Sequence, residues 1–282
     1  MLLEPIAACL IALQGSRAVV AQEAERYELR VAEDSELELR AFWEPCRTST
    51  YGLFEQTPAL RAPAPARERD RYDGPLFRTF LPRAPVALGE VWEVAGTEVL
   101  EFLRQFHAGA VQQARFSGGE VPGTYACLRA VSARAFEILI RAHASFHLED
   151  GVIYKPGQYE GRLVVERGSG ALLWFQLALP SRDTNVDVNV PYEDVEGGRT
   201  VKHMSADIGW VPRMELTSGD PPALEWSREL ALDEARLALR RAFYRFAQLD
   251  WLPFEEAVLR ARQEQKPLHL VLLFGVLDDD SC

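Results

Sequence analysis

The sequence is poor in basic residues, and this scarcity excludes several classes of partner. Its 282 residues include only three lysines, and 31 basic side chains stand against 42 acidic ones, a formal net charge of −11. Nucleic acids and anionic membranes bind proteins through basic patches. No cluster of lysine and arginine offsets the acidic balance. The composition therefore argues against binding to nucleic acid or to an anionic membrane surface. Membrane association of another kind stays open.

Cysteine is also scarce, and the signatures of several common active sites are missing. The four cysteines, Cys9, Cys46, Cys127 and Cys282, are far apart, so their spacing indicates neither a zinc site nor a disulfide framework. There is no Gly-rich phosphate loop, no HExxH pair and no GxSxG nucleophile elbow. No stretch has EF-hand spacing, so the acidic residues within 183–196 are interpreted as a solvated surface rather than a calcium site.

The first 24 residues allow two interpretations. An apolar stretch over residues 5–13 followed by the small residues Val19, Val20 and Ala21 resembles an export signal with its cleavage site. Glu4 stands where such a signal has a positive charge, so a helix that packs on the body is the alternative. The apolar stretch is too short to span a bilayer.

The middle of the chain predicts an α+β protein with a β-rich antiparallel body over residues 77–222. Strict apolar alternation from Phe136 to Leu148 is typical of one long strand, and residues 94–106 have the spacing of an amphipathic helix. Residues 25–76 predict two short strands and then, over 61–74, a proline-rich charged linker. Further strands are predicted over residues 162–166, 171–179, 185–190 and 200–210, with glycine turns at 168–170 and 197–198.

In the last segment, residues 223–282, the apolar period becomes helical again. One helix is predicted from an N-cap at Asp233 to Phe246, and a second over residues 254–265. A fully apolar run follows at residues 268–274, and such a run is typical of a central parallel strand. Helix, Lys-Pro, apolar strand, loop and Cys282 together predict the start of a thioredoxin-like domain. We therefore expect a chain that is cut short at its reactive site.

Cys282 is the candidate catalytic residue. An isolated thiol has a pKa of about 8.5. The neighbouring aspartates, residues 278–280, would raise that pKa by like-charge repulsion. Disulfide chemistry also requires a second sulfur or selenium atom. Cys127 lies among apolar residues, which favours a core position, and either Cys46 or Cys127 remains open as a resolving thiol.

The histidines do not predict a metal site. His143 and His147 would share a helix face and could bind a metal there. The alternation around them indicates a strand instead, where they would lie about 13 Å apart at about 3.3 Å per residue. We interpret them as surface histidines on one face of the sheet.

The C-terminal residues resemble a known family. Residues 272–282 (LLFGVLDDDSC) closely resemble the segment that carries the Ser-Cys-selenocysteine-Gly motif of the selenoprotein N family. Further family-like blocks occur in the same order, so the resemblance covers residues 77–282. These blocks are FLP at 80–82, ACL at 126–128, NVD at 185–187, DIGWVPRMEL at 207–216 and LPF at 252–254.

This resemblance implies a function. The residue after Cys282 would be selenocysteine, followed by glycine and the rest of a thioredoxin-like domain, with no other cofactor expected. The protein would then be a thiol/selenol oxidoreductase acting on protein thiols and disulfides, in redox protection or regulation linked to calcium handling. A selenol ionises below neutral pH, so the neighbouring aspartates need not silence it.

The sequence leaves alternatives open for the cellular location, the oligomeric state and the activity of the protein. The family implies export, to the periplasm in a bacterium or to the endoplasmic reticulum in a eukaryote. A homodimer is one expected assembly. Vertebrate family members carry an EF-hand and a membrane anchor, and neither pattern is found in this sequence. The alternative function is a non-enzymatic interaction or regulatory module, with the 282-residue form inactive.

Overall fold

The computed structural model describes most of the region with predicted strands and helices. The described residues are 24–44, 47–48, 69–95, 97–106, 110–113, 123–147, 151–155, 158–180, 186–193, 201–244, 248–249 and 251–270. Residues 1–23 of the predicted signal segment, the glycine turn at 197–198, and Cys9, Cys46 and Cys282 lie outside these ranges. Within them, no helix has both the length and the apolar character that crossing a bilayer requires.

The described part of the chain is dominated by β-strands, and every strand pair is antiparallel. The strands are β1 (Arg26–Tyr27), β2 (Glu36–Trp43), β3 (Arg47–Thr48), β4 (Arg69–Asp73), β5 (Val86–Ala87), β6 (Val91–Glu93), β7 (Ala110–Gln113), β8 (Thr124–Val131), β9 (Ala135–His147), β10 (Ile153–Lys155), β11 (Gln158–Glu166), β12 (Leu172–Ala178), β13 (Val186–Glu193), β14 (Val201–Trp210), β15 (Met214–Thr217) and β16 (Arg228–Glu229).

The helices are few and short. They are α1 (Gly74–Phe77), a 3₁₀ turn (Arg78–Phe80), α2 (Val99–Leu103), α3 (Leu232–Phe243) and α4 (Phe254–Glu264). A β-rich antiparallel sheet with a few helices confirms the predicted α+β class.

One sheet of fourteen described strands organises the molecule around β9. Its main path runs β3-β14-β13-β10-β9-β11-β12-β15-β2-β4, and β8 joins β9 with β6 and β16 beyond it. The first part of β9 pairs with β8 and β11, and its last residues pair with β7 and β10. Because β2 and β4 close one edge, these two strands belong to the same sheet as the body. Strand β1 instead pairs with β5 in a separate two-stranded sheet.

One face of β9 is buried in the main core. The even-numbered residues from Phe136 to Phe146 all point to this side, as the alternation predicts. Phe77, Phe102 and Phe175 form the centre of the core, with each pair of ring centroids 5.2 Å apart. Burial of such a side chain contributes about 1.5–3 kcal/mol, so this aromatic cluster is a principal source of stability.

The opposite face of β9 is covered too. Leu139 packs there with Cys127 of β8 and with Ala235 and Leu239 of α3. A sheet with one face in water would leave these odd-numbered positions exposed. Helix α3 therefore converts the outer face of β8 and β9 into a second interior.

Most predicted strands are confirmed, and so is the turn at residues 168–170. Gly170 has a φ of +76°, and a Cβ there would lie 3.0 Å from the Arg30 carbonyl oxygen. The close approach lets the Gly170 carbonyl accept a hydrogen bond from the Ala32 amide at 2.8 Å. Glycine is required here because other residues rarely adopt this φ.

Three local predictions were wrong. Residues 69–73 are strand β4 rather than linker, and Asp73 caps the helix that follows by accepting from the Leu76 amide. Helix α2 covers only Val99–Leu103 instead of residues 94–106. Helix α3 has Ala231 as its N-cap, so Asp233 lies in the first turn, and the helix ends at Phe243. There the Asp233 carboxylate favours the helix through the dipole rather than as a cap.

Candidate functional site

The predicted catalytic residue, Cys282, lies outside the described residues, which end at Leu270. The described start of the predicted strand, residues 268–270, has no regular secondary structure. Leu268 and Leu270 are 43% and 54% exposed. The predicted catalytic role of Cys282 therefore stays a prediction.

Helix α4 leads into this region and is built from ordinary helix signals. Pro253 occupies the N-cap, two glutamates lie in the first turn, and Gln265 ends the helix with a left-handed φ of 53°. Glu264 bonds Lys266 and Arg260, which lower the pKa of its carboxyl to about 2. No residue of α4 is buried, and Phe254 and Leu259 remain more than half exposed. The helix thus presents apolar side chains to solvent in the described structure.

Cys127 is unsuited to redox chemistry. Its side chain is fully buried between the sheet and α3. Burial raises the pKa of the thiol to about 12. The thiolate is the reactive form of cysteine, so Cys127 would be protonated at neutral pH and out of reach of a protein substrate. The core position predicted for Cys127 is confirmed, and the open role of resolving thiol does not suit it.

A buried charge cluster fixes the chain segment that leads into α3. Glu137 is fully buried on β9, bonded by Arg129 and, at 2.8 Å, by the Arg162 Nε. Arg129 also donates to the Glu229 carboxylate at 2.8 Å and to the Leu230 carbonyl at 3.1 Å. Burial acts to lower the pKa of Arg129, but its bonds to Glu229 and Glu137 outweigh this and raise it.

Two tryptophans shield this cluster. The Arg129 guanidinium lies 5.9 Å from the Trp226 ring centroid, and that of Arg162 lies 5.2 Å from the Trp174 ring centroid. Excluding water strengthens charge pairs and makes an unpaired charge costly. The cluster therefore ties the central strands β8, β9 and β11 to β16 at the edge of the sheet. Strand β16 ends two residues before Ala231, the N-cap of α3.

A second polar group lies farther along the same face of β9. Arg141 donates from Nε to Nε2 of His143 at 2.9 Å, which requires that nitrogen to be unprotonated. The His143 ring stacks on Phe243 with centroids 3.6 Å apart and an interplanar angle of 2°. The Arg141 guanidinium lies 5.4 Å from the Tyr244 ring centroid. The end of α3 is thus seated on β9 by aromatic and polar contacts together.

The prediction for His143 was therefore half right. The residue lies on a strand, as predicted, but it is only 1% exposed and is not a surface histidine. The side chain of His147 lies outside the description. Among the described residues no group of histidine, cysteine and carboxylate side chains is arranged to hold a metal ion.

Between α3 and the sheet lies a groove of about 440 Å³. Its charged and amide lining comes from Arg141, Gln158 and Glu160 on the sheet and from Asp233, Arg236 and Arg240 on the helix. Arg236 forms a two-pronged bond to Glu160 at 2.6 and 2.9 Å. This bond, more than the contact with Asp233, raises the pKa of Arg236. Three arginines and two carboxylates therefore line the groove, and both carboxylates bond Arg236.

Sequence reasoning missed this whole polar interior. The alternation in β9 led to His143 being interpreted as a surface residue, because polar residues at every second position usually mark a solvent face. Glu137 and Arg141 lie on that same buried face. The only local signal against that assignment was Leu139, an apolar residue on the polar side. The cover comes from α3, roughly one hundred residues later in the chain, which a local pattern does not register.

Comparisons with known proteins identify relatives but no structural template. No protein-family profile matches the chain, and no solved structure matches it. Selenoprotein N of Mus musculus is 31% identical, over 73% of this chain and 46% of the mouse protein. For Danio rerio selenoprotein N the identity is 31%, over 66% of this chain and 39% of the relative. For Homo sapiens selenoprotein N the identity is 29%, over 73% of this chain and 43% of the human protein.

The chain spans less than half the length of the curated relatives it matches. Three matches to proteins of one name, each covering about two thirds or more of this chain, agree with the resemblance of its C-terminal block. The chain belongs to a selenoprotein N-related family.

Proposed function

We propose that this chain is part of a thiol/selenol oxidoreductase whose reactive pair is Cys282 and a selenocysteine that follows it. The observation that carries the proposal is Ser281-Cys282 at the end of a block resembling the redox segment of the family to which the chain belongs. A selenol supplies the second chalcogen that the lone thiol of Cys282 requires. The apolar run before the motif would then be the central strand of a thioredoxin-like domain.

The described structure supports this assignment from two sides. Burial and a pKa of about 12 disqualify Cys127 as the partner of Cys282. Helix α4 buries none of its residues, as expected of a helix whose packing partner is a further domain rather than the β-rich sheet. The sheet would then serve to dock the protein substrate.

The proposed reaction is a two-step exchange. The selenolate attacks one sulfur of a substrate disulfide, forming a selenium–sulfur bond and releasing the other substrate sulfur as a thiolate. The Cys282 thiolate then attacks that bond, which frees the second substrate thiol and leaves Cys282 joined to selenium. A dithiol reductant restores the pair by the same chemistry. Like-charge repulsion from aspartates 278–280 acts on both anions, but a selenol ionises below neutral pH and stays ionised, so the selenolate is the attacking group.

Any link to calcium handling would act through the thiols of partner proteins rather than through a calcium site of this chain. An exported, oxidising compartment suits such chemistry. The three matched relatives are all eukaryotic, so the comparisons give no support to the periplasmic option.

The coding sequence gives a first test. The codon after that of Cys282 should be TGA, followed by a glycine codon, an open reading frame and a selenocysteine-insertion hairpin. A TAA or TAG codon with no open frame beyond it would contradict the proposed pair.

Turnover gives the functional test. The protein extended past Cys282 should reduce insulin disulfides at the expense of dithiothreitol, and Cys282→Ser should lower that turnover to background. Cys127→Ala is the matched control, since it removes a buried thiol and should leave turnover unchanged. Equal activity of Cys282→Ser and the parent protein would contradict the role of Cys282. Absence of turnover in the extended parent protein would favour the non-enzymatic interaction module.

A further inference from the structure

The groove between α3 and the sheet has the dimensions of a small-molecule site. Its volume of about 440 Å³ lies within the range of about 300–1,000 Å³ typical of ligand pockets. One wall is the sheet, with Arg141 and Gln158, and the other is α3. Both of these sheet residues are more than nine-tenths buried. The groove therefore combines preformed walls with polar side chains that are held away from bulk water.

Two arginines of α3 line the groove one helical turn apart but differ in their pairing. Arg236 is neutralised by Glu160, with a further bond to Asp233 at 3.0 Å. Arg240, four residues later, has no ion pair among the described residues. Its Nε is buried and donates no hydrogen bond to any residue that the structure describes. Buried donors are almost always satisfied, so the Arg240 Nε is an exception to the usual pattern.

The lining also defines what an occupant would be. A guanidinium recognises carboxylate and phosphate oxygens through paired N–H donors, and Gln158 can add an amide donor. Leu237 and Leu239 line the same groove and suit a carbon skeleton attached to the anionic group. The confined volume and the acidic surface of the chain do not suit a polyanion such as nucleic acid.

We infer that this groove binds a small organic anion, a carboxylic acid or a phosphate monoester, with its anionic group on the Arg240 guanidinium. Arg141 on the opposite wall adds positive charge, while Arg236 acts through Glu160 to hold the helix wall in place. The inference goes beyond the proposed redox function and does not depend on Cys282.

The test uses the 282-residue chain and the arginine Nε–Hε signals in its ¹⁵N NMR spectrum. Acetate and inorganic phosphate serve as separate probes, with sodium chloride at equal ionic strength as the reference. A saturable shift of the Arg240 Nε–Hε signal is expected with at least one probe. A saturable shift with acetate alone would identify a carboxylate site, and a saturable shift with phosphate alone would identify a phosphate site.

Matched variants locate the binding. Arg240→Gln should weaken binding by at least about tenfold, the loss expected for a charge-assisted hydrogen bond. Arg241→Gln removes the same charge from the exposed next position and should bind like the parent. Arg240→Lys keeps the positive charge and serves as a control in case Arg240→Gln does not fold. It should also weaken binding, because lysine lacks the paired N–H donors of a guanidinium. The inference is overturned if neither probe gives a saturable shift beyond that of chloride, or if the Arg240 variants bind as the parent does.

Discussion

Helices α3 and α4 have similar lengths and similar local sequence signals but opposite environments. Both carry acidic residues in the first turn and arginine in the last. Helix α3 buries Ala235, Leu239 and Phe243, which are spaced by four residues on one face. Helix α4 buries none, and its Phe254 and Leu259 are exposed. Local sequence thus accounts for both helices, but not for whether either has a surface to cover.

The difference lies in what the sheet offers. Under α3, the outer face of β9 supplies Leu139, the His143 ring and a charge cluster that holds the preceding strand. The small side chain of Ala235 allows close approach to β8. A helix is stabilised mainly by such packing rather than by propensity. Helix α4, in contrast, has no described surface that covers its apolar residues.

The largest effect is expected at the charge cluster beneath α3. Glu137→Gln removes the carboxylate that neutralises Arg129 and Arg162, so the free energy of unfolding should fall by about 3–5 kcal/mol. Urea unfolding measures the loss. Amide hydrogen exchange in α3 should be faster in the variant than in the parent, whereas exchange in α4, which buries no residue, should be unchanged.

The control for this variant is Glu229→Gln, since the Glu229 side chain is half exposed and its pair with Arg129 should contribute at most about 1 kcal/mol. If both variants cost the same, Glu137 does not anchor the segment before α3.

A slightly smaller loss is expected in the packed face of α3. Leu239→Ala removes a side chain that is 1% exposed and leaves a cavity against Leu139, at a cost of about 2–5 kcal/mol. The midpoint of urea unfolding should fall while the slope of the transition stays constant. A loss below about 1 kcal/mol would show that α3 is held by its polar contacts and not by this packing.

The matching change in α4 should have almost no effect. Leu259 is 60% exposed, so Leu259→Ala should change the stability of the 282-residue chain by no more than about 0.5 kcal/mol. In the protein extended past Cys282 the same substitution should cost clearly more, because the proposed domain would cover it. Equal small effects in both proteins would mean that α4 stays exposed and would remove one support for the added domain.

The smallest effect concerns the end of α4. Glu264 has a folded-state pKa of about 2, below its ordinary value of 4.5, chiefly because of its hydrogen bond to Lys266. A depressed carboxyl pKa stabilises the folded form above the ordinary pKa, and this contribution is lost as the pH falls from 4.5 towards 2. A ¹³C NMR titration of the Glu264 carboxyl should show the low midpoint, and Lys266→Ala should raise it. A midpoint near 4.5 in the parent would contradict the Lys266 contact.

The sequence predicted the centre of the fold well because apolar alternation is strong where strands are buried. Strand β9 was predicted within one residue at each end. Strand β4 was missed because it lies at the end of the sheet path and, of the strands that the structure describes, pairs only with β2. An edge strand can be rich in charge, and residues 69–73 therefore resemble a linker.

The polar interior could not be predicted because its two halves are distant in sequence. Glu137 and Glu229 share Arg129 although 92 positions separate them in the chain. Similarly, Arg141 and Arg240 line one groove from different elements. The C-terminal motif, in contrast, is a contiguous block, which is why sequence alone identified the family to which the chain belongs.

The most direct test of the central claim is a mass-spectrometric map of the protein extended past Cys282, prepared in oxidised and reduced forms. We predict that oxidation removes two hydrogens and joins the sulfur of Cys282 to the selenium of the next residue. Cys127 should remain an unmodified thiol in the folded protein. An oxidised protein whose Cys282 is still a free thiol, or is bonded to Cys127 instead, would contradict the proposed reactive pair.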